Sequence, residues 1–295
     1  MPTFVLLMTT VFSCAEETSK TANPPSSMQT FEHDGETRRY GMYFPDSYDG
    51  TADYPLIFNF HGGCMDAFSQ MEEMNMRDIA EENNVILLYP EGIGEVGYEE
   101  CLIWNSGPYI DTDDSKTTAD DLGFIQSLVD EVTETYAIDQ SRIYATGFSN
   151  GGFMTHSVGC YLSEIFAAIA PVAGMMNAEA IDSNSNYPCN SSHPMPAIHF
   201  HGTADGSVPL ADGEAAVQYW ATFNNTADAQ LYSVEDGNWN RTIERYSYVG
   251  NHVDVEYYKV IGGYHEGFSS LSYEGSNSLD LIWDFFAQYD LNGRL

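Results

Sequence analysis

The segment that most constrains the fold is residues 142–152, where a short apolar strand runs directly into Gly-Phe-Ser-Asn-Gly-Gly and then into a helix. Glycine at positions 147 and 151 permits the tight turn that such a strand-to-helix junction needs. Parallel strands require a crossover connection, and a helix is the usual one. The junction therefore predicts an α/β protein with a parallel sheet.

The rest of the chain repeats this alternation of strands and helices. Residues 54–60 form a continuous apolar run, as expected of a central strand buried on both faces. Further strands are predicted at 39–44, 85–89, 142–146, 166–175, 196–201 and 253–260. Helices are predicted at 71–83, from 118 to beyond 132, from the glycine turn at 147–152 to about 162, at 212–220 and at 279–289. Residues 91–117 are predicted to be irregular. The expected fold is a mainly parallel central sheet flanked by helices on both faces.

The N-terminus has the character of an export signal. Residues 4–12 are apolar, and they precede Ser-Cys-Ala-Glu-Glu and a polar tether rich in Ser, Thr, Asn and Pro. Cys14 would be the lipidated residue of a lipoprotein, although Phe12 is bulky and no Lys or Arg comes earlier, so an ordinary signal peptide is the alternative. We therefore expect residues 1–27 to be a signal or lipid anchor with its tether, and 28–295 to be one catalytic domain. The protein would be secreted, periplasmic or an outer-envelope lipoprotein.

The charge of the chain limits its partners. There are 44 acidic and 10 basic residues, a formal net charge of −34. Such a surface repels nucleic acid and anionic lipid headgroups, so neither is an expected partner, and it suits solubility in salty water. No apolar run reaches the roughly 18 residues that span a bilayer. A monomer is expected.

Ser149, at the centre of the glycine turn, is the candidate nucleophile. A nucleophilic serine needs a base and an acid that orients the base, and in such sheets they follow in the order Ser, Asp, His. Asp205 lies in a loop after one predicted strand, and His265 lies in a glycine-rich loop after another. Asp212, on a predicted helix, and Asp254, inside a predicted strand, are less well placed as the acid. The predicted catalytic residues are Ser149, His265 and Asp205.

A serine hydrolase also needs backbone N–H donors for the tetrahedral oxyanion. The residue after the nucleophile, Asn150, is one expected donor. The other is expected from the His-Gly-Gly-Cys loop that follows the strand at 54–60, and either Gly63 or Cys64 fits. His61 and His201 end strands within glycine motifs and are expected to orient loops rather than to act as bases.

Three aromatic residues lie close in sequence to these loops. Trp104, Phe148 and Tyr264 would line an acyl pocket, but with 14% aromatic residues in the chain each also fits a place in the core. The proposed chemistry requires no cofactor and no catalytic metal. The expected partner is an ester substrate.

Four cysteines remain besides Cys14: Cys64, Cys101, Cys160 and Cys189. An even number in an exported chain favours disulfides over metal ligation, because the sequence has no Cys-x-x-Cys pair or nearby histidine cluster. Four cysteines allow three pairings, and the residues alone leave all three open.

Several motifs together resemble a known group. They are the sequences at 61–64, 101–104, 120–125, 138–152, 166–174 and 201–209. The chain resembles the extracellular poly(3-hydroxybutyrate) depolymerase-like and feruloyl esterase group of α/β-hydrolases, which includes acetylxylan esterases. The likeness covers about residues 38–290.

The resemblance implies an α/β-hydrolase fold and carboxylic-ester hydrolysis through an acyl-enzyme, on aryl, feruloyl or acetyl esters of plant or algal polysaccharide. It also implies the pairs Cys64–Cys101 and Cys160–Cys189. Members often carry Trp soon after the catalytic His, where this chain has Glu-Gly-Phe at 266–268. A polyester depolymerase, a peptidase on the same fold and a non-catalytic binding protein are the alternatives.

Overall fold

The computed structural model describes residues 20, 28–95, 97–107, 117, 119–236 and 241–295. Cys14 and the export signal predicted around it lie outside the described residues. Within the described part of the chain, no helix is both long and apolar enough to cross a membrane.

Strands and helices alternate along most of the described chain. The strands are β1 (Gln29–His33), β2 (Glu36–Tyr43), β3 (Tyr54–Phe60), β4 (Ile86–Pro90), β5 (Ile93–Glu95), β6 (Tyr98–Ile103), β7 (Ile138–Phe148), β8 (Ala168–Val172), β9 (Ala197–Gly202), β10 (Gln230–Asp236), β11 (Thr242–Tyr248), β12 (Val255–Ile261), β13 (Ser272–Tyr273), β14 (Ser276–Asn277), β15 (Tyr289–Asp290) and β16 (Gly293–Arg294). The helices are α1 (Ala67–Glu73), α2 (Arg77–Asn83), α3 (Asp121–Thr135), α4 (Asn150–Tyr161), α5 (Ala178–Ile181), α6 (Leu210–Phe223) and α7 (Ser278–Phe286).

One large sheet organises the molecule. Among the described residues it has ten strands in the order β1-β2-β4-β3-β7-β8-β9-β12-β11-β10. The six central strands, from β4 to β12, run parallel, and the two strands at each edge are antiparallel. The predicted mainly parallel sheet is confirmed. The carboxyl ends of β3, β7, β9 and β12 lie at one edge, where loops of such sheets carry functional residues.

The sheet divides the core into two apolar layers. Along β3, Leu56, Phe58 and Phe60 face the layer that contains residues of α3, α4 and α6. Ile57 faces the opposite layer, which contains residues of α1, α2 and α7. All seven residues of β3 are buried, which explains its continuous apolar run. Helices thus cover both faces, as predicted.

The structure corrects three details of the predicted elements. The segment predicted as one helix at 71–83 belongs to two helices, because the backbone leaves the helical conformation at Met74, with φ −124° and ψ 70°, and α2 begins after Met76. The segment predicted as irregular contains the β5–β6 hairpin. The edge strands β1, β10 and β11 were not predicted. In β1, partly buried residues alternate with exposed ones, so it lacks the apolar run of a central strand.

Candidate active site

Ser149 lies at the junction of β7 and α4, in a backbone conformation that few residues other than glycine adopt, with φ 56° and ψ −118°. Its N–H donates to the carbonyl of Val172 at 2.9 Å, and its carbonyl accepts from the N–H of Phe153 as the helix begins. A Cβ on Gly151 would lie 2.1 Å from the Phe60 carbonyl oxygen. The flanking glycines are therefore required by close backbone approach, which holds the serine side chain clear of the turn.

His265 joins Ser149 to Asp205. The Nε2 atom of His265 is 2.8 Å from the Ser149 Oγ, and its Nδ1 atom is 2.8 Å from the Asp205 Oδ2. Asp205 follows β9 and His265 follows β12, which is the parallel neighbour of β9. The carboxyl ends of these strands meet, and residues 60 apart in sequence come into contact.

The rival acids lie elsewhere. Asp212 is exposed in the first turn of α6. Asp254 was predicted inside a strand but immediately precedes β12, where it pairs with Arg294. Neither is hydrogen-bonded to His265 within the described part of the chain.

The Asp205 carboxylate is buried yet well supplied with donors. Its Oδ1 atom accepts the N–H groups of Ser207 and Val208, each at 2.8 Å. Burial raises the pKa of Asp205, but the hydrogen bonds from His265, Val208 and Ser207 outweigh burial and hold that pKa below its ordinary value. The carboxylate is therefore anionic near neutral pH.

The loop that carries His265 is held by two residues that the sequence did not point to, Glu73 and Arg241, and by Phe148, which was expected to line an acyl pocket instead. The Glu73 carboxylate, at the end of α1, accepts the N–H of Gly267 at 2.9 Å across 194 residues of sequence. Arg241 pairs with Glu266 at 2.8 Å. The Phe148 ring lies against the His265 imidazole, with 4.9 Å between ring centroids. No local motif marks Glu73, because only the fold brings α1 to this loop.

The loop after β3 meets the start of α4, where the oxyanion donors were predicted. A Cβ on Gly63 would lie 3.8 Å from the Asn150 Cβ. The N–H of Cys64 donates to the carbonyl of Leu102 at 2.8 Å, which leaves Gly63 as the candidate from that loop. The Asn150 side chain is fixed by the backbone of Trp104, accepting from its N–H at 2.7 Å and donating to its carbonyl at 3.3 Å.

His61 braces the same loop from behind. It is buried, accepts the N–H of Gly92 at Nε2, and so donates from Nδ1 to the carbonyl of Gly62 at 2.8 Å. Burial lowers the pKa of His61 to about 4, so the ring is neutral near neutral pH. Its contacts agree with the predicted role of orienting the loop.

A cavity of about 460 Å³ opens beside Gly63 and Asn150, and Ile103, Trp104 and Phe153 are among the residues that line it. Of the three predicted substrate-binding aromatics, Trp104 alone is among these residues. It is only 3% exposed, and its indole N–H donates to the His61 carbonyl at 3.0 Å. Phe148 packs on His265, whereas Tyr264 is 65% exposed to solvent and does not line the cavity.

Both disulfides form with the expected pairing, Cys64–Cys101 and Cys160–Cys189. The first joins the loop after β3 to the β5–β6 hairpin, and both of its cysteines line the cavity. Within the described ranges, no group of three or more His, Cys, Asp or Glu side chains is arranged to hold a metal ion.

The parallel sheet, the serine turn and the strand-end Asp and His define the α/β-hydrolase class. About half of the chain, residues 104–252, matches the Phospholipase/Carboxylesterase family, and the chain belongs to that family of ester hydrolases.

Individual relatives agree with this membership. The chain is 29% identical over 271 residues to Feruloyl esterase B of Piromyces equi, a match that covers 86% of this chain but only 46% of that protein. It is 26% identical over 256 residues to Probable feruloyl esterase C of Aspergillus niger, covering 84% of this chain and 83% of the relative. The acetyl xylan esterase from Aspergillus awamori shares the fold, with a TM-score of 0.61 at 16% identity, covering 88% of this chain and 99% of that structure.

Proposed function

We propose that this protein is a serine carboxylic-ester hydrolase in which Ser149 is the nucleophile, His265 the base and Asp205 the orienting acid. The observation that carries the proposal is the pair of 2.8 Å contacts linking the three side chains in series. A serine hydroxyl is a weak nucleophile at neutral pH and needs an adjacent base to take its proton. Here the base touches the hydroxyl and its other nitrogen touches a buried carboxylate.

In the first step, the Ser149 Oγ attacks the ester carbonyl while His265 Nε2 takes the hydroxyl proton. The new oxyanion is held by the N–H groups of Asn150 and Gly63, two neighbouring residues that both line the cavity. The tetrahedral intermediate collapses, and His265 returns the proton to the departing alcohol. The acyl group is left on Ser149.

In the second step, water attacks the acyl-enzyme as His265 again takes a proton. The oxyanion is held by the same two N–H groups, and the carboxylic acid leaves as Ser149 recovers its hydrogen. Throughout, Asp205 keeps the Nδ1–H tautomer of His265 and stabilises the imidazolium that forms.

For the substrate we propose aryl, feruloyl-type or acetyl esters of plant or algal polysaccharide. Supporting this class, relatives along most of the chain carry the names feruloyl esterase and acetylxylan esterase. The cavity beside the oxyanion donors combines Ile103, Trp104 and Phe153 with polar residues such as Asn105 and Asn177, a mixture suited to an acyl group with an aromatic or polar part. The net charge of −34 disfavours polyanionic substrates.

We also propose that the protein is exported, because two disulfides are typical of oxidising compartments. Lipidation at Cys14 stays a prediction, as does the monomeric state. Mass spectrometry of the mature N-terminus would distinguish a lipidated cysteine from ordinary signal cleavage.

A hydrolysis panel tests the function. Methyl ferulate, acetylated xylan, p-nitrophenyl acetate and hydroxybutyrate oligomers would be compared for the wild type, Ser149→Ala and His265→Ala. We expect turnover of the aryl or acetyl esters, with each substitution lowering kcat by at least about 10⁴-fold and the double variant losing little more. Faster turnover of hydroxybutyrate oligomers would favour the polyester alternative. Equal rates in wild type and Ser149→Ala would overturn the mechanism.

A further inference from the structure

Three histidines that the proposed mechanism does not use lie side by side in the core. His199 and His201 are two residues apart on β9 and so face the same layer, and His156 comes from α4. All three are buried. The ring centroids of His156 and His199 are 5.6 Å apart, and those of His199 and His201 are 5.5 Å apart. The row ends beside Asp205.

Hydrogen bonds define which nitrogens of His201 and His199 carry a hydrogen. The Nε2 atom of His201 is 3.1 Å from the Val208 carbonyl, which can only accept, so Nε2 carries the hydrogen. A neutral His201 then accepts at Nδ1, and the nitrogen 3.2 Å away, Nε2 of His199, must donate. Both rings are therefore Nε2–H tautomers.

His156, at the end of the row far from Asp205, has the same tautomer. The Trp220 indole N–H, which can only donate, lies 3.0 Å from His156 Nδ1, so the hydrogen of a neutral His156 is on Nε2. That Nε2–H and the bare Nδ1 of His199 are buried without a partner among the described residues. The rings of His156 and His199 therefore stack without a hydrogen bond between them, whereas Trp220 bonds His156 and His199 bonds His201.

His201 contacts Asp205, the proposed orienting acid, in two ways. The His201 Nε2 atom is 3.6 Å from the Asp205 Oδ2. It also bonds the carbonyl of Val208, whose N–H donates to the Asp205 Oδ1. The opposite edge of the His201 ring is closed by α6, since a Cβ on Gly213 would lie 2.4 Å from His201 Nδ1. His201 therefore has little freedom to move away from the 205–208 turn.

We propose that two hydrogen-bonded pairs, Trp220–His156 and His199–His201, stack through the rings of His156 and His199 into one neutral chain that positions Asp205 for His265. The proposal rests on the proposed function, because Asp205 matters to turnover only if His265 is the base. His201 is a positioning residue: it donates to the turn that orients the Asp205 carboxylate and does not touch the reacting atoms.

Neutrality of the chain has a consequence for catalysis. A charged His201 would compete with His265 for the negative charge of Asp205 and weaken stabilisation of the His265 imidazolium. Burial lowers the pKa of His156 to about 3 and that of His199 well below its ordinary value. Burial also lowers the pKa of His201, and this outweighs the hydrogen bond to Val208 and the carboxylates of Asp205 and Glu214, which raise that pKa, while His265 lowers it. His201 in turn lowers the pKa of His199.

The kinetic test compares two substitutions at position 201. His201→Gln keeps an N–H donor near the Nε2 position, whereas His201→Leu removes it, and exposed His252→Gln is the control. We expect His201→Leu to lower kcat about tenfold with KM within about twofold, the size of effect of one lost hydrogen bond. His201→Gln should recover kcat to within about threefold of the wild type. In an Asp205→Asn background, His201→Leu should cost nothing further.

Two kinetic outcomes would overturn the positioning role. One is a wild-type kcat in His201→Leu. The other is an equal loss of kcat in the Gln and Leu variants, which would show that the donor is irrelevant and that the ring acts only as packing.

Histidine ¹⁵N NMR on the wild type tests the chain itself and needs no variant to fold. We expect His156, His199 and His201 to be neutral Nε2–H tautomers from pH 7 to 8. An Nδ1–H signal from any of them, or protonation within this range, would overturn the chain. A wild type without esterase activity would instead overturn the proposed function and with it the catalytic role of the chain.

Discussion

At the scale of single residues, the site depends on a carboxylate kept ionised inside the protein. Asp205 is removed from solvent, which by itself favours its neutral form, and three donors reverse that preference. Two of the donors are backbone N–H groups of its own loop, so the loop and the charge stabilise each other. The third is the His265 imidazole, which the carboxylate orients toward Ser149.

The lowered pKa of Asp205 predicts a pH-dependent contribution to stability. A depressed carboxyl pKa stabilises the fold above the unfolded value of about 3.9, and this contribution is lost as the pH falls through the folded pKa. The free energy of unfolding of the wild type should therefore exceed that of Asp205→Asn most clearly above about pH 5. Urea titrations between pH 3 and 7 would measure the difference. A difference that grows as the pH falls below 4 would contradict the assignment.

The same substitution should separate stability from activity. At pH 7, Asp205→Asn is expected to lower kcat by about 10³–10⁴-fold, because an amide at this position favours the wrong tautomer of His265. Exposed Asp212→Asn, a rival acid outside the site, is the matched control and should stay within about twofold of the wild type. Equal losses in the two variants would show that Asp205 is not the orienting acid.

At the scale of elements, the junction of β7 with α4 is held by contacts with β3. Gly151 passes so close to the end of β3 that a side chain would overlap the Phe60 carbonyl, a backbone atom that cannot move without shifting the sheet. The loop after β3 presents Gly63 to Asn150 at the same place. The positions of the proposed nucleophile and of both candidate oxyanion donors thus depend on the same contact between β3 and the start of α4.

Gly151→Ala should disrupt this contact. The added Cβ would lie 2.1 Å from the Phe60 carbonyl oxygen, so we expect a loss of about 1–3 kcal/mol in unfolding free energy and at least tenfold in kcat. Gly206→Ala is the control, since a Cβ there meets nothing within 4 Å. Urea unfolding and p-nitrophenyl acetate turnover would be measured for both. Gly151→Ala with wild-type stability would show that the junction is looser than described.

At the scale of the whole molecule, the two disulfides close loops of similar length but different position. The sequence separations are 37 and 29 residues, and the chain-entropy relation assigns about 4 kcal/mol to each. Cys64–Cys101 holds the loop that carries Gly63. Cys160–Cys189 joins the end of α4 to the segment before β9, away from the residues that line the cavity. Only the first should affect catalysis directly.

Paired alanine variants would test this division. Both Cys64→Ala/Cys101→Ala and Cys160→Ala/Cys189→Ala should lose stability, by up to about 4 kcal/mol in denaturant unfolding. At a temperature where both are folded, only the first pair should lower kcat substantially. A larger kcat loss from the second pair would contradict the proposed link between the Cys64 loop and the oxyanion donors.

The net charge of −34 is a property of the molecule as a whole. With 10 basic residues against 44 acidic ones, most carboxylates repel one another, and this repulsion opposes the compact state. Raising NaCl from 10 mM to 0.5 M shortens the screening length and should raise the Tm. Calorimetry with NaCl and KCl in parallel would separate screening from specific ion effects. A Tm that falls with both salts would refute the charge argument.

The sequence by itself determined the parallel centre of the sheet and the three residues at its carboxyl edge that we propose as catalytic. Buried parallel strands are recognisable as apolar runs, and their carboxyl ends meet at one edge, so the residues after them are neighbours whatever the side-chain details. Ser149, Asp205 and His265 could be selected for this reason. The edge strand β1 could not, because it has no such run, and neither could the break between α1 and α2, because no Gly or Pro in residues 71–83 marks it.

The tertiary structure alone decided which groups support the site. That Cys64 donates to Leu102, that Trp104 lies behind the loop, that Glu73 holds the His265 loop and that three histidines line up behind Asp205 all depend on contacts between elements. Such contacts join residues up to 194 positions apart, and neither periodicity nor a local motif records them. The topology of the backbone fixes where the strand ends lie, whereas the packing of helices and loops decides which groups contact the residues there.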